Sequence, residues 1–251
     1  MFESCLPLEL GRHIVEVGNL TKKDFVVLSN VSRLFRNEAQ RALFRDPGHF
    51  YLGVVKDSER NEAFFDAIIS SPRRLALMVH TYSQDTRWYD DSWEEYGPSC
   101  DQDQEVIFEK MTQAFKLMDN MKRFQSSDSA FNGYFYDRML KSVMQAFPKL
   151  EAFSWYYEGG AQQIIDFLAH QDRIRYLKLP SEFGLGDYDQ QERERLLLVA
   201  RTICPKLETI SAPIETTKIL LPGKSKIISS LDSTVTRQTQ IRGRWAAHAT
   251  R

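Results

Sequence analysis

The first 46 residues alternate polar and apolar positions with a helical rhythm. Leu10, Ile14 and Val17 recur at intervals of four and three, which places them on one face of a helix. Pro7 suits the first turn of that helix, where its missing N–H is not needed. Gly18 and Asn19 can stop it, since both tolerate the left-handed backbone conformation at a helix end. Thr21 and Asp24 make a variant capping box ahead of a second stripe: Leu28, Val31, Phe35, Ala39 and Ala42. Asp46-Pro47-Gly48 closes the segment as a turn. Taken alone, the pattern predicts a small helical module whose apolar residues are mostly core.

From about residue 50 the pattern changes. Phe50-Tyr51-Leu52-Gly53-Val54-Val55 predicts a strand. A theme then recurs: a helical stripe, a short break and a brief apolar strand. Its junctions include Ser71-Pro72-Arg73-Arg74-Leu75, Phe147-Pro148-Lys149-Leu150-Glu151 and Cys204-Pro205-Lys206-Leu207-Glu208. His170 to Leu177 and Asn120 to Phe124 fit without the proline. Proline cannot continue a helix, and its fixed φ launches an extended segment. Apolar residues at the first and fourth positions of each such segment are expected to point inward. The facing wall is expected from Phe64, Ala67 and Ile68, from Ile107, Met111 and Phe115, and from Leu140, Val143, Met144 and Phe147. Further along, Ile164, Ile165 and Leu168, then Leu196 to Val199 with Ile203, continue it.

Aligning the first position of each segment gives Leu75, Met121, Leu150, Ile174 and Leu207, at steps of 46, 29, 24 and 33 residues. Strand-plus-helix repeats of the leucine-rich type run about 20–29 residues. Two steps match and two read as repeats with insertions. The expected fold class is therefore α/β, with residues 47–231 forming an irregular leucine-rich-repeat-like array on a parallel sheet. An ordinary α/β domain with a parallel sheet shares the same alternation and is the competing expectation. Residues 214–231 are the candidates for a polar end cap.

The opening Leu6-Pro7-x-Glu9-Leu10 and the later Leu28-Ser29-x-Val31-Ser32-Arg33-x-Phe35-Arg36 carry a sharper signal. Together they resemble the F-box, over roughly residues 5 to 46 of the chain. The resemblance implies a three-helix module that docks on a Skp-type adaptor within a cullin-based ubiquitin ligase. By position it implicates Leu6, Pro7, Leu28, Val31, Ser32, Arg33 and Phe35 in that contact. Gly18 departs from the pattern, since many members carry a bulky apolar residue near that point. With the repeats behind it, the chain looks like the F-box plus irregular-repeat proteins of filamentous fungi. Such a chain catalyses nothing itself, needs no cofactor, and holds an unknown protein substrate while its partners transfer ubiquitin. The alternatives are an interaction scaffold that directs no ubiquitin transfer, and a P-loop-like nucleotide-binding enzyme.

Composition bounds these expectations. A chain of 251 residues that is 42% hydrophobic can bury a core. A net charge of −1 steers it to neither nucleic acid nor membrane, and no apolar run reaches the ~18 residues of a membrane span. Cys5, Cys100 and Cys204 have no metal-ligand spacing. Met1-Phe2-Glu3-Ser4-Cys5 lacks the basic start of a secretory signal, so cytoplasm or nucleus is expected.

Between Ser83 and Glu109 the chain is acidic and aromatic. Trp88, Tyr89, Asp90, Asp91, Trp93, Glu94 and Glu95 would suit capture of a basic peptide through charge and cation–π contact. A solvated loop whose aromatics dock back on their own domain is the plainer expectation. Residues 232–251 have no acid after Asp232 and four arginines, Arg237, Arg242, Arg244 and Arg251, and read as a flexible basic tail.

Catalytic motifs are weak. Pro222-Gly223-Lys224-Ser225 echoes a P-loop, but Lys218 stands where the first glycine belongs and Pro222 removes an N–H donor. Gly184-Leu185-Gly186 lacks the third glycine of the dinucleotide fingerprint. His13, His49, His80, His170 and His248 never sit at i, i+4, and no serine elbow is evident.

Overall fold

The structure, a computed structural model, describes residues 7–52, 55–86, 99–128, 133–156, 161–179 and 204–212, with Thr217 and Leu220. It divides into two compact units, Met1–Tyr157 and Glu158–Arg251. The boundary expected after residue 46 falls inside the first unit.

Three helices open the first unit: α1 (Leu8–Val17), α2 (Lys22–Val31) and α3 (Arg33–Arg45). Pro7 precedes α1 as its N-cap. At its far end Gly18 keeps an ordinary φ of −67°, while Asn19 takes the left-handed turn at φ 46°. A side chain at Gly18 would be driven to 2.6 Å from the Ile14 carbonyl oxygen, which is why the glycine stands there. The capping box forms as expected. The Asp24 N–H donates to Thr21 Oγ1 at 3.3 Å, and the Thr21 N–H donates to Asp24 Oδ2 at 2.8 Å.

The second stripe is a correction. Leu28 to Ala42 is not one helix, because Ser32 is extended at φ −155° and ψ 165° and separates α2 from α3. Its hydroxyl accepts the Phe35 N–H at 3.3 Å and so caps α3. Serine competes well for exposed backbone N–H groups, and that local bond ends one helix and starts the next.

Beyond the three helices the chain alternates helix and strand. β1 (His49–Leu52), α4 (Val55–Ser70), α5 (Leu75–Met78), β2 (Thr81–Thr86), α6 (Ser99–Phe115), β3 (Arg123–Asp128), α7 (Gly133–Ala146) and β4 (Ala152–Trp155) follow in order. The strands pair in parallel and in chain sequence: β1 with β2, β2 with β3, β3 with β4. The second unit holds α8 (Ala161–Ala169) and two more parallel strands, β5 (Tyr176–Lys178) and β6 (Thr209–Ser211). The α/β class with parallel strands is thus observed.

The first-and-fourth rule holds at four junctions. Met121 and Phe124, Leu150 and Phe153, Ile174 and Leu177, and Leu207 and Ile210 are all buried, and each strand begins two residues after the first of its pair. It fails at Leu75, which lies in α5. The Ser71 carbonyl accepts N–H groups from Arg74 and Leu75 at 3.2 and 2.9 Å, winding another turn where an extended segment was expected. Val79 and Tyr82 take the inward positions instead. β1 is also shorter than expected, since Val55 already begins α4. On the helices, Phe65 and Phe108 are the buried residues where Phe64 and Ile107 were expected. Leu196 to Val199 and Ile203 lie outside the described residues.

The inward residues form an aromatic ladder. Tyr82 pairs in register with Phe124, and Phe124 with Phe153. Ring centroids lie 5.2 Å apart for Phe50 and Tyr82, 6.0 Å for Tyr82 and Phe124, and 6.1 Å for Phe124 and Phe153. Phe115 of α6 wedges edge-on against Tyr82 at 5.0 Å. Each fully buried ring contributes about 1.5–3 kcal/mol by leaving water.

The strand entries share one backbone device. The His80 carbonyl accepts the N–H groups of Lys122 and Arg123 at 2.9 and 3.0 Å. The Lys122 carbonyl accepts those of Glu151 and Ala152 at 2.7 and 3.0 Å. In the second unit the Arg175 carbonyl accepts those of Glu208 and Thr209, both at 2.9 Å.

Candidate docking surface on the N-terminal helices

The three N-terminal helices are held by a small core and a polar clasp. Val15 and Ala39 are buried, and a side chain at Gly11 would stand 3.0 Å from Leu34, so α1 and α3 approach closely there. The nearly buried Glu38 of α3 accepts from Arg12 Nε of α1 at 3.3 Å and from Arg41 Nε at 2.8 Å. Arg41 also donates to Glu16 of α1 at 2.8 Å. Burial alone would raise the Glu38 carboxyl, but hydrogen bonds and charge from Arg41 and Arg12 outweigh it and hold the group below its ordinary range.

This clasp leaves an apolar surface uncovered. The expectation that the helical stripe is core is wrong for Leu10, Ile14 and Val17, which are 50%, 44% and 65% exposed. Val26, Val27 and Val31 of α2 are exposed as well. Helices this short have one narrow face each for the interior, and here Gly11 and Val15 take that place on α1. Among the described residues, six of the nine exposed large apolar side chains lie on α1 and α2. Exposed apolar side chains of this kind are the material from which an interaction surface is built.

Of the residues implicated by the motif, Pro7 caps α1, Leu28 and Val31 lie on α2, Ser32 caps α3, and Arg33 and Phe35 lie on α3. Pro7, Val31, Ser32 and Arg33 are exposed, while Leu28 and Phe35 are half-buried. Leu6 lies outside the described residues. Val26 and Val27 were not anticipated, although Phe25-Val26-Val27-Leu28 is apolar around too much of a helix to bury entirely. A comparison with protein-family models finds no match, and neither does a comparison with curated proteins.

The acidic aromatic segment is narrower than the sequence suggested. Ser83 to Thr86 belong to β2 and Ser99 to Glu109 to α6. Trp88, Tyr89, Asp90, Asp91, Trp93, Glu94 and Glu95 lie outside the described residues, as do residues 232–251 and the Gly184 and Gly223 motifs.

One serine, histidine and aspartate do converge. His49 Nδ1 is 2.7 Å from Ser83 Oγ, and His49 Nε2 is 4.0 Å from Asp85 Oδ2. A relay needs both ring nitrogens within about 2.6–3.2 Å of their partners. The carboxylate is too distant, and Ser83 lies within β2 rather than on a strained turn. Among the described residues no three His, Cys, Asp or Glu side chains group as a metal site, and no helix is long and apolar enough to cross a membrane.

Proposed function

We propose that this chain is a substrate-recognition subunit of an SCF-type cullin-RING ubiquitin ligase, with α1–α3 as an F-box that docks on a Skp-type adaptor. The observation that carries the proposal is the set of exposed apolar side chains on α1 and α2, two of the three helices over which the motif residues are spread. A solvated module of this size has no reason of its own to leave Leu10, Ile14, Val17, Val26, Val27 and Val31 in water; a partner that covers them supplies one.

Residues 47–231 then form the irregular leucine-rich-repeat-like domain that binds a protein target. Supporting this are the strand order, which follows the chain without reversal, and the recurring strand-entry carbonyls. A stack of repeats in which each contacts its neighbour has that order, whereas an open doubly wound sheet reverses at a switch point. The chain contributes proximity: holding the target beside a charged conjugating enzyme makes transfer effectively intramolecular. Cytoplasm or nucleus is the compartment in which this would operate.

The test is co-expression of the full chain with a Skp-type adaptor, followed by an affinity measurement for wild type and for the Pro7→Ala, Phe35→Ala double variant. Circular dichroism checks that both fold. Tight binding that the double variant loses supports the proposal. No binding by folded wild type removes it. Adaptor binding without recruitment of a cullin would leave an interaction scaffold.

A further inference from the structure

A second concave site lies in the first unit, lined by residues other than those assigned to adaptor docking. It is a cleft of about 450 Å³ between the helices α1 and α3 and the entering ends of β2 and β3. Its volume falls within the range of about 300–1,000 Å³ usual for small-molecule sites. Its basic wall comes from elements far apart in sequence. Arg41 and Arg45 come from the last turns of α3, His80 from the residue before β2, and Lys122 and Arg123 from the entry of β3. The strand-entry bonds bring the last three together, because the His80 carbonyl holds the N–H groups of both Lys122 and Arg123. The His80 N–H in turn donates to the Arg45 carbonyl at 3.1 Å, which ties α3 to the same rim.

Three carboxylates line the cleft too, and two are engaged. Glu16 receives Arg41 at 2.8 Å and Glu151 receives Lys122 at 3.0 Å. Asp46 accepts the Gly48 N–H at 3.2 Å and so shapes its own turn. Arg45 and Arg123 have no carboxylate partner among the described residues. The imidazole of His80 reports the balance. Burial first, then the charges of Arg45, Lys122 and Arg41, push it below its ordinary value, and Glu151 does not cancel them.

We propose that this cleft binds a phosphate-bearing small molecule, with Arg45 and Arg123 as its principal ligands and His80 and Lys122 as supporting donors. Two guanidinium groups that line one cleft from different elements suit a phosphate group, which accepts paired N–H bonds in a planar geometry. Lys122 and Arg41 can share their charge between a carboxylate and the incoming anion. A bound anion would link α3 to the strand entries and so stiffen the joint between the three helices and the sheet.

The test uses the full chain. Pyrophosphate is titrated calorimetrically at constant ionic strength against wild type, the Arg45→Gln, Arg123→Gln double variant, and Lys141→Gln as a remote control. Saturable one-to-one binding that the double variant weakens by about tenfold or more, the scale of one lost charge-assisted hydrogen bond, supports the site. The control should bind as wild type does. Absence of saturable binding to folded wild type overturns the proposal, and so does binding that the double variant retains. Should the double variant fail to fold, the His80 ring resonances of wild type decide. An occupied site raises the His80 pKa, because the anion favours the imidazolium, whereas an unchanged His80 titration in saturating pyrophosphate refutes the site. None of these outcomes bears on adaptor binding.

Discussion

Arg41 Nε donates to the Glu38 carboxylate at 2.8 Å, three residues away on α3, and through Glu38 and Glu16 it fastens α3 to α1. Replacing Glu38 by glutamine keeps the shape and removes the charge that two arginines share. The expected cost is about 1–3 kcal/mol, the range for hydrogen bonds to a charged, nearly buried group. Thermal unfolding of Glu38→Gln at neutral pH measures it.

The same carboxylate makes the helices acid-sensitive. Its folded pKa is depressed below the ordinary 4.5. Above that value Glu38 is ionised in both states and its contribution is complete. As pH falls through 4.5, the unfolded chain takes up the proton first, and the contribution is lost as the folded value is approached. A profile of Tm against pH should therefore fall less steeply for Glu38→Gln than for wild type below pH 4.5.

Exposed apolar residues of α2 should matter for binding and not for folding. Val27→Asp and Val31→Asp are expected to abolish adaptor binding while leaving stability within about 0.5 kcal/mol of wild type. A loss of stability well beyond that would mean that these side chains pack within the chain after all.

Ser32 should matter for folding. Ser32→Ala removes the cap of α3 and is expected to destabilise the chain by about 1 kcal/mol. Ser32→Asp, which restores an acceptor, should recover most of it in the same melt.

Phe124 occupies the middle of the aromatic ladder, against Tyr82, Phe115, Phe147 and Phe153. Phe124→Ala should cost about 3–5 kcal/mol through lost burial and the cavity that remains. Chemical denaturation with an unchanged m-value would assign the loss to the native core.

Cys204 of the second unit is buried, and burial pushes its thiol up to about 12. Thiol reagents should leave it unmodified at pH 8 in the folded chain and modify it once denaturant is added. Mass analysis of the peptide carrying residue 204 reads the difference.

Much of the architecture was legible from residue pattern, because it depends on local chemistry. The Thr21 and Asp24 capping box, the stop at Gly18 and Asn19, and the inward pairs at Met121, Leu150, Ile174 and Leu207 are set by spacing, caps and turns a few residues long. Where the sequence misled, a competing local bond or a neighbour decided. Ser32 divided one apolar stripe into two helices by capping Phe35. The Ser71 carbonyl turned Leu75 into helix. Phe65 is the more deeply buried of the pair, with Phe64 half-buried against Phe50, because the rotation of α4 is set by the rings it meets, and those come from distant strands.

The surfaces proposed for binding lay beyond the reach of periodicity. A stripe such as Leu10, Ile14 and Val17 looks the same whether it faces a core or waits for a partner, and only the packing of α1 through Gly11 and Val15 assigns it to solvent. The basic cleft gathers Arg45, His80 and Arg123 from positions far apart in the chain. The sequence by itself determined the caps and most of the strand entries, since those depend on neighbours along the chain. The tertiary structure decided which faces remain open and which charges meet, since those depend on neighbours in space.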